Sequence, residues 1–203
     1  MSMVEIHICF DELESWDTFW RWKWFTRDVW ESKYWVEEYS TLKPLFCLLR
    51  RLNVESILDC SCGLRFKTIL LAREGYEVEG SDGSPTAIKY ARQLAKREGV
   101  KIRFFLSRYV ELDKKAKRKY DCVFSDNFDK IETYGKMKVA AESIHLILNE
   151  NGKLIFQGVS YATSKNDLKK LIEEEWKRRK KFDFDPPCKK RGIRVMRIEV
   201  NEK

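Results

Sequence analysis

At 203 residues the chain is long enough for one domain with a real core and too short for two ordinary ones. Its 43% hydrophobic content, with only 9 Gly and 4 Pro, argues against extended disorder, and no apolar run approaches the length of a membrane span. The net charge of +8 is uneven: residues 1–100 carry 14 Lys/Arg against 16 Asp/Glu, and residues 101–203 carry 26 against 16.

The opening stretch, MSMVEIHICFDELE, is acidic and has no cleavage-like site, so it does not read as a secretion signal and a cytoplasmic location is expected. Residues 16–35, WDTFWRWKWFTRDVWESKYW, hold six of the seven tryptophans. Trp16, Trp20 and Trp24 recur every fourth residue, which places them on one helical face. An N-terminal aromatic helical cap over residues 1–52 is the expectation. Packing on a sheet hides three or four such rings, and six with interleaved charges are hard to hide completely. Some therefore line a cavity, with Trp20 and Trp24 the candidates for touching a ligand.

From about residue 54 the chain alternates short apolar runs with helical patterns. Strands are predicted at 55–59, 76–82, 101–107, 120–126 and 153–160, and helices at 66–74, 85–98, 134–149 and 164–180. Ser84-Pro85 gives a cap followed by proline at the first helical position. Gly75 and Gly99 fall just past helix ends, and Asn151-Gly152 marks a turn into the fifth strand. This alternation predicts parallel βαβ units and a doubly wound α/β sheet. The end breaks the rhythm, because FDFD (182–185), a Pro-Pro-Cys turn and GIRVMRIEV (192–200) read as a hairpin. The expected architecture is a seven-stranded, mostly parallel sheet with a reversed last strand. Residues 1–203 form one domain, in which 53–203 are the core behind the cap.

Six cysteines and two histidines give no metal spacing: Cys60 and Cys62 make only CxC, and His7 and His145 lie far off. No metal is expected, and the thiols read as buried gap-fillers. The basic excess concentrates in 165–197, with KRRKK at 177–181 and KKRGIR at 189–194. A nucleic-acid footprint and a solvated helix end followed by a charged hairpin both account for it, the second more plainly.

In such sheets ligands bind beyond the carboxyl ends of the strands, near the point where strand order reverses. LDCSCGLR (58–65) follows the first strand, SDGSP the second, LSRY the third and SDNFD the fourth. Asp59 and Gly63 sit where a nucleotide loop needs them, whereas Ser61 and Arg65 replace the usual glycines. Asp82, ending the second strand, is placed to accept hydrogen bonds from both ribose hydroxyls. A dinucleotide loop wants three glycines where this chain has Ser61, Gly63 and Phe66, and no Walker phosphate loop is present. A nucleoside without a pyrophosphate is the better match.

ILDCSCGLRFKTILLAREGYEVEGSDGSP resembles motif I and the second strand of class I S-adenosylmethionine-dependent methyltransferases. The resemblance covers roughly residues 16–161. KYDCVF (119–124), the aromatic N-terminal segment and the reversed last strand look most like the glycine/sarcosine N-methyltransferase type. It implies a Rossmann-like methyltransferase fold and S-adenosylmethionine as cofactor. Asp59, Ser61, Cys62 and Gly63 would form the loop beside the methionine part, Asp82 would hold the ribose, and Gly83 and Ser84 would flank the adenine edge. Ser107, Arg108 and Tyr109 match a triplet whose polar member holds the adenine amino group. Arg108 departs from that pattern, since a guanidinium has only donors. Ser125 would lie along the cofactor's other side. Arg65, at the positive end of a helix dipole, would be stabilised by pairing with Asp59 or Asp82, which would fill the pocket.

Methyl transfer to an amine needs alignment, desolvation and a group that removes one proton. Asp126 and Asn127, after the fourth strand, are the candidate catalytic residues, although Asp126 also reads as a strand-end cap. The expected activity is methyl transfer to an amine of a small molecule. An RNA or protein methyltransferase using the basic C-terminal region, and a non-catalytic methyltransferase-like binding protein, stay open as alternatives. Arg21, Arg27 or Arg108 could hold an acceptor carboxylate, and the aromatic segment could enclose a methylated ammonium.

Overall fold

A computed structural model describes residues 2–8, 32–63, 66–125, 134–156, 160–162, 170, 173 and 194–200. In chain order the elements are β1 (Ser2–Ile8), α1 (Ser32–Arg51), β2 (Ser56–Cys60), α2 (Phe66–Arg73), β3 (Glu77–Asp82) and α3 (Pro85–Arg97). There follow β4 (Arg103–Leu106), a single 3-10 turn (Tyr109–Glu111), α4 (Leu112–Lys115), β5 (Tyr120–Ser125), α5 (Tyr134–Ile147), β6 (Leu148–Phe156), β7 (Ser160–Ala162) and β8 (Arg194–Val200).

The main sheet has the order β4-β3-β2-β5-β6-β7. Its first five strands are parallel, and the short β7 runs antiparallel to β6 at one edge. Strand order reverses between β2 and β5, which fixes the switch point. Every residue of β2 is buried, as a central parallel strand covered on both faces requires. Side chains alternate between the faces: Ile57, Cys122, Phe124 and Ile155 pack with Leu42, Leu45, Phe46 and Leu49 of α1. Leu58, Val123 and Leu154 pack with Met137, Ala140 and Ile144 of α5. A third cluster joins Ile88, Ala91 and Leu94 of α3 to Phe104 and Cys62.

The Ser84 cap is as the sequence predicts: its side chain accepts the Ala87 N–H at 3.1 Å, and Pro85 opens α3. Two expectations need correction. Among the described residues the sheet has five parallel strands and one reversed one, not seven. The C-terminal strand β8 does not join it, and pairs antiparallel with β1, bringing Val4 against Ile198, Ile6 against Met196 and Glu5 against Arg197. The hairpin expected with 182–185 lies outside the described residues. The Asn151-Gly152 turn also lies inside β6 rather than before it. Pairing with β5 jumps from Tyr120↔Leu148 to Cys122↔Lys153, and the surplus residues bulge at 149–152. A Cβ at Gly152 would come within 2.9 Å of Leu148 Cβ, so the bulge needs glycine there.

Candidate functional site

The loop after β2 carries two residues in the left-handed region, Ser61 at φ 59° and Gly63 at φ 52°. Glycine tolerates this freely; serine pays about 1 kcal/mol or more. Between them the Cys62 N–H donates to the Ser81 carbonyl at 2.9 Å, fastening the loop to β3. The Cys62 side chain is fully buried in the α3 cluster, so this residue serves the loop through its backbone. Gly80 makes that packing possible. A Cβ there would lie 2.6 Å from Phe104 Cδ1 and 3.2 Å from Cys62 Sγ.

Asp82 joins the strand ends. Its Oδ2 accepts the Gly63 N–H at 2.9 Å and its Oδ1 accepts the Ser84 N–H at 2.8 Å. Its backbone carbonyl accepts the Ser107 N–H at 2.9 Å, so one residue binds the exits of β2, β3 and β4. Asp82 is buried, at 8% exposure, and a carboxylate is an acceptor of the kind that ribose hydroxyls need. Asp59 is also buried, and its Oδ2 accepts the Thr68 hydroxyl at 2.6 Å, which anchors α2 to the strand end. Ser84 spends its hydroxyl on the α3 cap, and Gly83 beside it is half-buried.

Beyond β4 the side chains diverge. Arg108 is exposed, so its guanidinium is not forced into the interior where the triplet's polar member would sit. Ser107 is buried and its hydroxyl donates to the Arg108 carbonyl at 3.0 Å. Tyr109 packs against the α5 face, and its hydroxyl hydrogen-bonds to Ser125 Oγ and to Ser61. That bridge joins the loop after β2 to the end of β5. Burial pushes the phenol well above its ordinary value, reinforced by Cys60, so Tyr109 stays protonated and can donate throughout the physiological range. Burial likewise raises the Cys60 thiol, which is inert there as a nucleophile.

The structure thus gathers Asp59, Ser61, Cys62, Gly63, Asp82, Gly83, Ser84, Tyr109 and Ser125 around the carboxyl ends of β2, β3 and β5. Arg65, Trp20, Trp24, Asp126 and Asn127 lie outside the described residues, as does most of 165–197. Three features were not foreseen: Thr68 as the partner of Asp59, Gly80 as the gap for Phe104, and the bridge from Tyr109 to Ser61 and Ser125. Thr68 could have been found, since a polar residue one turn into the helix faces the strand end. The other two depend on contacts between strands.

Residues 53–192 match the methyltransferase domain family. Over 108 residues the chain is 31% identical to a Geobacillus sp. (strain WCH70) protein that bears a methyltransferase name, across 52% of this chain and 43% of that one. The chain therefore spans less than half the length of that curated relative. An S-adenosylmethionine-dependent methyltransferase from Clostridium acetobutylicum ATCC 824 superposes with TM-score 0.52 at 21% identity, over 56% of this chain and 47% of the other. The PH0226 protein of Pyrococcus horikoshii OT3 gives TM-score 0.53 at 24% identity, over 75% and 65%. CalS10, an amino pentose methyltransferase of Micromonospora echinaspora solved with S-adenosylmethionine bound, gives 0.51 at 18%, over 67% and 55%. At these identities the structural likeness concerns the fold. No helix among the described residues is long and apolar enough to cross a membrane.

Proposed function

The chain belongs to the methyltransferase domain family, and from that premise we propose that it transfers a methyl group from S-adenosylmethionine to an amine of a small molecule. S-adenosylmethionine is the cofactor this family and fold imply, and when bound it supplies a methyl group on a positively charged sulfur. The observation that carries the reading is the junction at Asp82, a buried carboxylate at the end of β3 that holds the Gly63 loop at 2.9 Å and is an acceptor of the kind ribose hydroxyls need. The residues fit the group: a bent loop with a glycine, a buried acid one strand away, and a small serine at the next strand end.

In this reading Asp82 holds the ribose, Ser61 to Gly63 follow the methionine part, and Gly83 borders the adenine. Tyr109 keeps the Ser61 and Ser125 walls at a fixed spacing, as a positioning residue. Asp126 or Asn127 orients the acceptor amine, with Asp126 the one able to take its proton, and Trp20 and Trp24 belong to the segment assigned to exclude water. The glycine/sarcosine type is the narrower form of the proposal, supported by the aromatic segment and KYDCVF.

Calorimetric titration with S-adenosylmethionine tests the first step, together with mass spectrometry of any cofactor retained on purification. Binding with transfer of labelled methyl to glycine or sarcosine supports the whole reading. Binding without transfer to small amines removes the acceptor assignment. Absence of binding by a folded chain leaves a non-catalytic methyltransferase-like protein.

A further inference from the structure

Residues 89–119 carry 12 Lys/Arg and 3 Asp/Glu, a net charge of +9, while the remaining 172 residues sum to −1. This segment is α3's second half, β4 and the connection to β5, and its α3 and β4 part lies at the β4 edge of the sheet. There the surface is concave. A groove of about 610 Å³ is lined by Arg92, Lys96, Lys101 and Arg103, with apolar and glycine residues between and no carboxylate.

The cations come from three elements. Arg92 and Lys96 are four residues apart on α3, Lys101 lies in the connection, and Arg103 opens β4. Like charges at that helical spacing repel each other. Charges on an edge strand alone would serve to discourage edge pairing, but two of these four stand on a helix. Arg92 is steadied by donating to the Phe104 carbonyl at 2.7 Å, which leaves its charge uncompensated. Arg103 lies 4.5 Å over the Phe105 ring and pairs with Glu79. Lys96 and Lys101 are exposed. The neighbouring acid, Glu98, pairs with Arg73 at 2.7 Å and Arg97 at 3.5 Å. Beyond Arg103 the same edge runs through Leu106, 48% exposed, to the exposed Arg108. At roughly 3.3 Å per residue that is on the order of 16 Å, ending at the rim of the cofactor site.

We propose that this groove and edge bind the phosphate backbone of a nucleic acid. It is a binding surface separate from the methyl-transfer site and independent of which acceptor that site uses. Cations along such an edge attract a polyanion by releasing its counterions, so the affinity is strongly salt-dependent.

The test is fluorescence anisotropy of a labelled single-stranded RNA of about 20 nucleotides, added to the full chain without cofactor, from about 50 to about 200 mM salt. Lys96→Glu with Lys101→Glu should weaken binding about tenfold or more at the low end. It should also lower the slope of log affinity against log salt by about 1.4, two single-strand phosphate contacts. Lys96→Ala with Lys101→Ala gives the same slope change if charge reversal disturbs the fold. Lys43→Glu with Arg51→Glu, on the exposed face of α1, makes the same charge change elsewhere and should have a much smaller effect. Equal weakening by both pairs would reduce the effect to net charge and overturn the proposal. Binding unchanged by the groove pair would move the affinity to 165–197, also against it. Failure of the wild type to bind at low salt, or displacement of the RNA by polyglutamate at equal charge, would do the same.

Discussion

The two ends of the parallel sheet are held together by different chemistry. At the carboxyl ends the joins are made by backbone donors: Gly63 and Ser84 N–H to the Asp82 carboxylate, Ser107 N–H to its carbonyl, and Cys62 N–H to Ser81. Here two residues of one loop are left-handed, Ser61 and Gly63. At the amino ends side chains take a larger part in the joins, beside backbone bonds such as Glu77 N–H to the Glu55 carbonyl. Asp121 accepts from Asn149 Nδ2, Ser56 Oγ and the N–H groups of Ser56 and Glu55, at 2.7, 2.8, 2.9 and 3.2 Å. Glu79 gathers Arg103, Arg118 and the Tyr120 hydroxyl. The difference teaches where this chain tolerates strain. Side-chain networks stabilise the amino end, where the left-handed residue is Asn53 at φ 52°, a type that tolerates it. The carboxyl end, where the ligand is proposed to bind, holds the same conformation at a serine, where it costs more.

The largest expected effect tests the ligand end. Asp82→Ala should remove about 2–3 kcal/mol of cofactor affinity, roughly 30- to 150-fold. It should also lower stability, because the Gly63 and Ser84 N–H groups lose their acceptor. Titration and denaturant melts read the two separately. A folded variant that binds S-adenosylmethionine as the wild type does would remove Asp82 from the ribose.

Next is Gly80→Ala, which links the ends through the middle of β3. The added Cβ must displace the Phe104 ring, from contacts of 2.6 and 2.7 Å, inside a packed cluster. Overpacking of this kind costs about 2 kcal/mol. Because Cys62 Sγ is the third neighbour, the push also reaches the loop, and affinity should fall with stability. A denaturant midpoint within error of the wild type would show that the ring moves freely.

Asp121 tests the amino end and predicts a pH dependence. Burial alone would raise its carboxyl, but the hydrogen bonds from Asn149, Ser56 and Glu55 hold it below the usual carboxylate range. A group with a lowered folded value contributes stability fully above its unfolded value, near 3.9, and loses it as pH falls through the folded value. Asp121→Asn should therefore cost about 1 kcal/mol at neutral pH, discounted for partial exposure, and less near pH 3, where the unfolded carboxyl is mostly protonated. Thermal melts at the two pH values check this. A cost that does not shrink in acid would mean the side chain acts by shape and not by charge.

These positions also show what a single sequence makes legible. The strands β2 to β5 and helices α2, α3 and α5 fall within a residue or two of their predicted starts, because each carries local signals such as Ser84-Pro85, Gly75 and Gly99. The seventh strand of the sheet does not appear among the described residues. Arg194–Val200 is a strand whose partner among the described residues is Ser2–Ile8, nearly the whole chain away, a pairing that nothing local signals. The site divides the same way. The placement of Asp82 beside Gly63 was legible from spacing, while the Tyr109 bridge crosses from the end of β4 to β5.

The smallest expected effect is at Ser61, where two opposing terms can be separated. The left-handed φ of 59° costs about 1 kcal/mol for any residue with a Cβ, and the hydroxyl returns part of it through Tyr109. Ser61→Ala keeps the strain and loses the hydrogen bond, so it should destabilise by about 1 kcal/mol. Ser61→Gly loses the same bond and releases the strain, so it should lie within about 0.5 kcal/mol of the wild type, with a loop freer in the unfolded chain as the offset. In a Tyr109→Phe background the alanine change should lose most of its remaining cost, because the hydroxyl it removes no longer has that partner. Denaturant melts of the four proteins close the cycle. If Ser61→Ala and Ser61→Gly destabilise equally, the left-handed turn carries no strain, and the contrast between an aimed, costly ligand end and a relaxed amino end fails at the residue where it is sharpest.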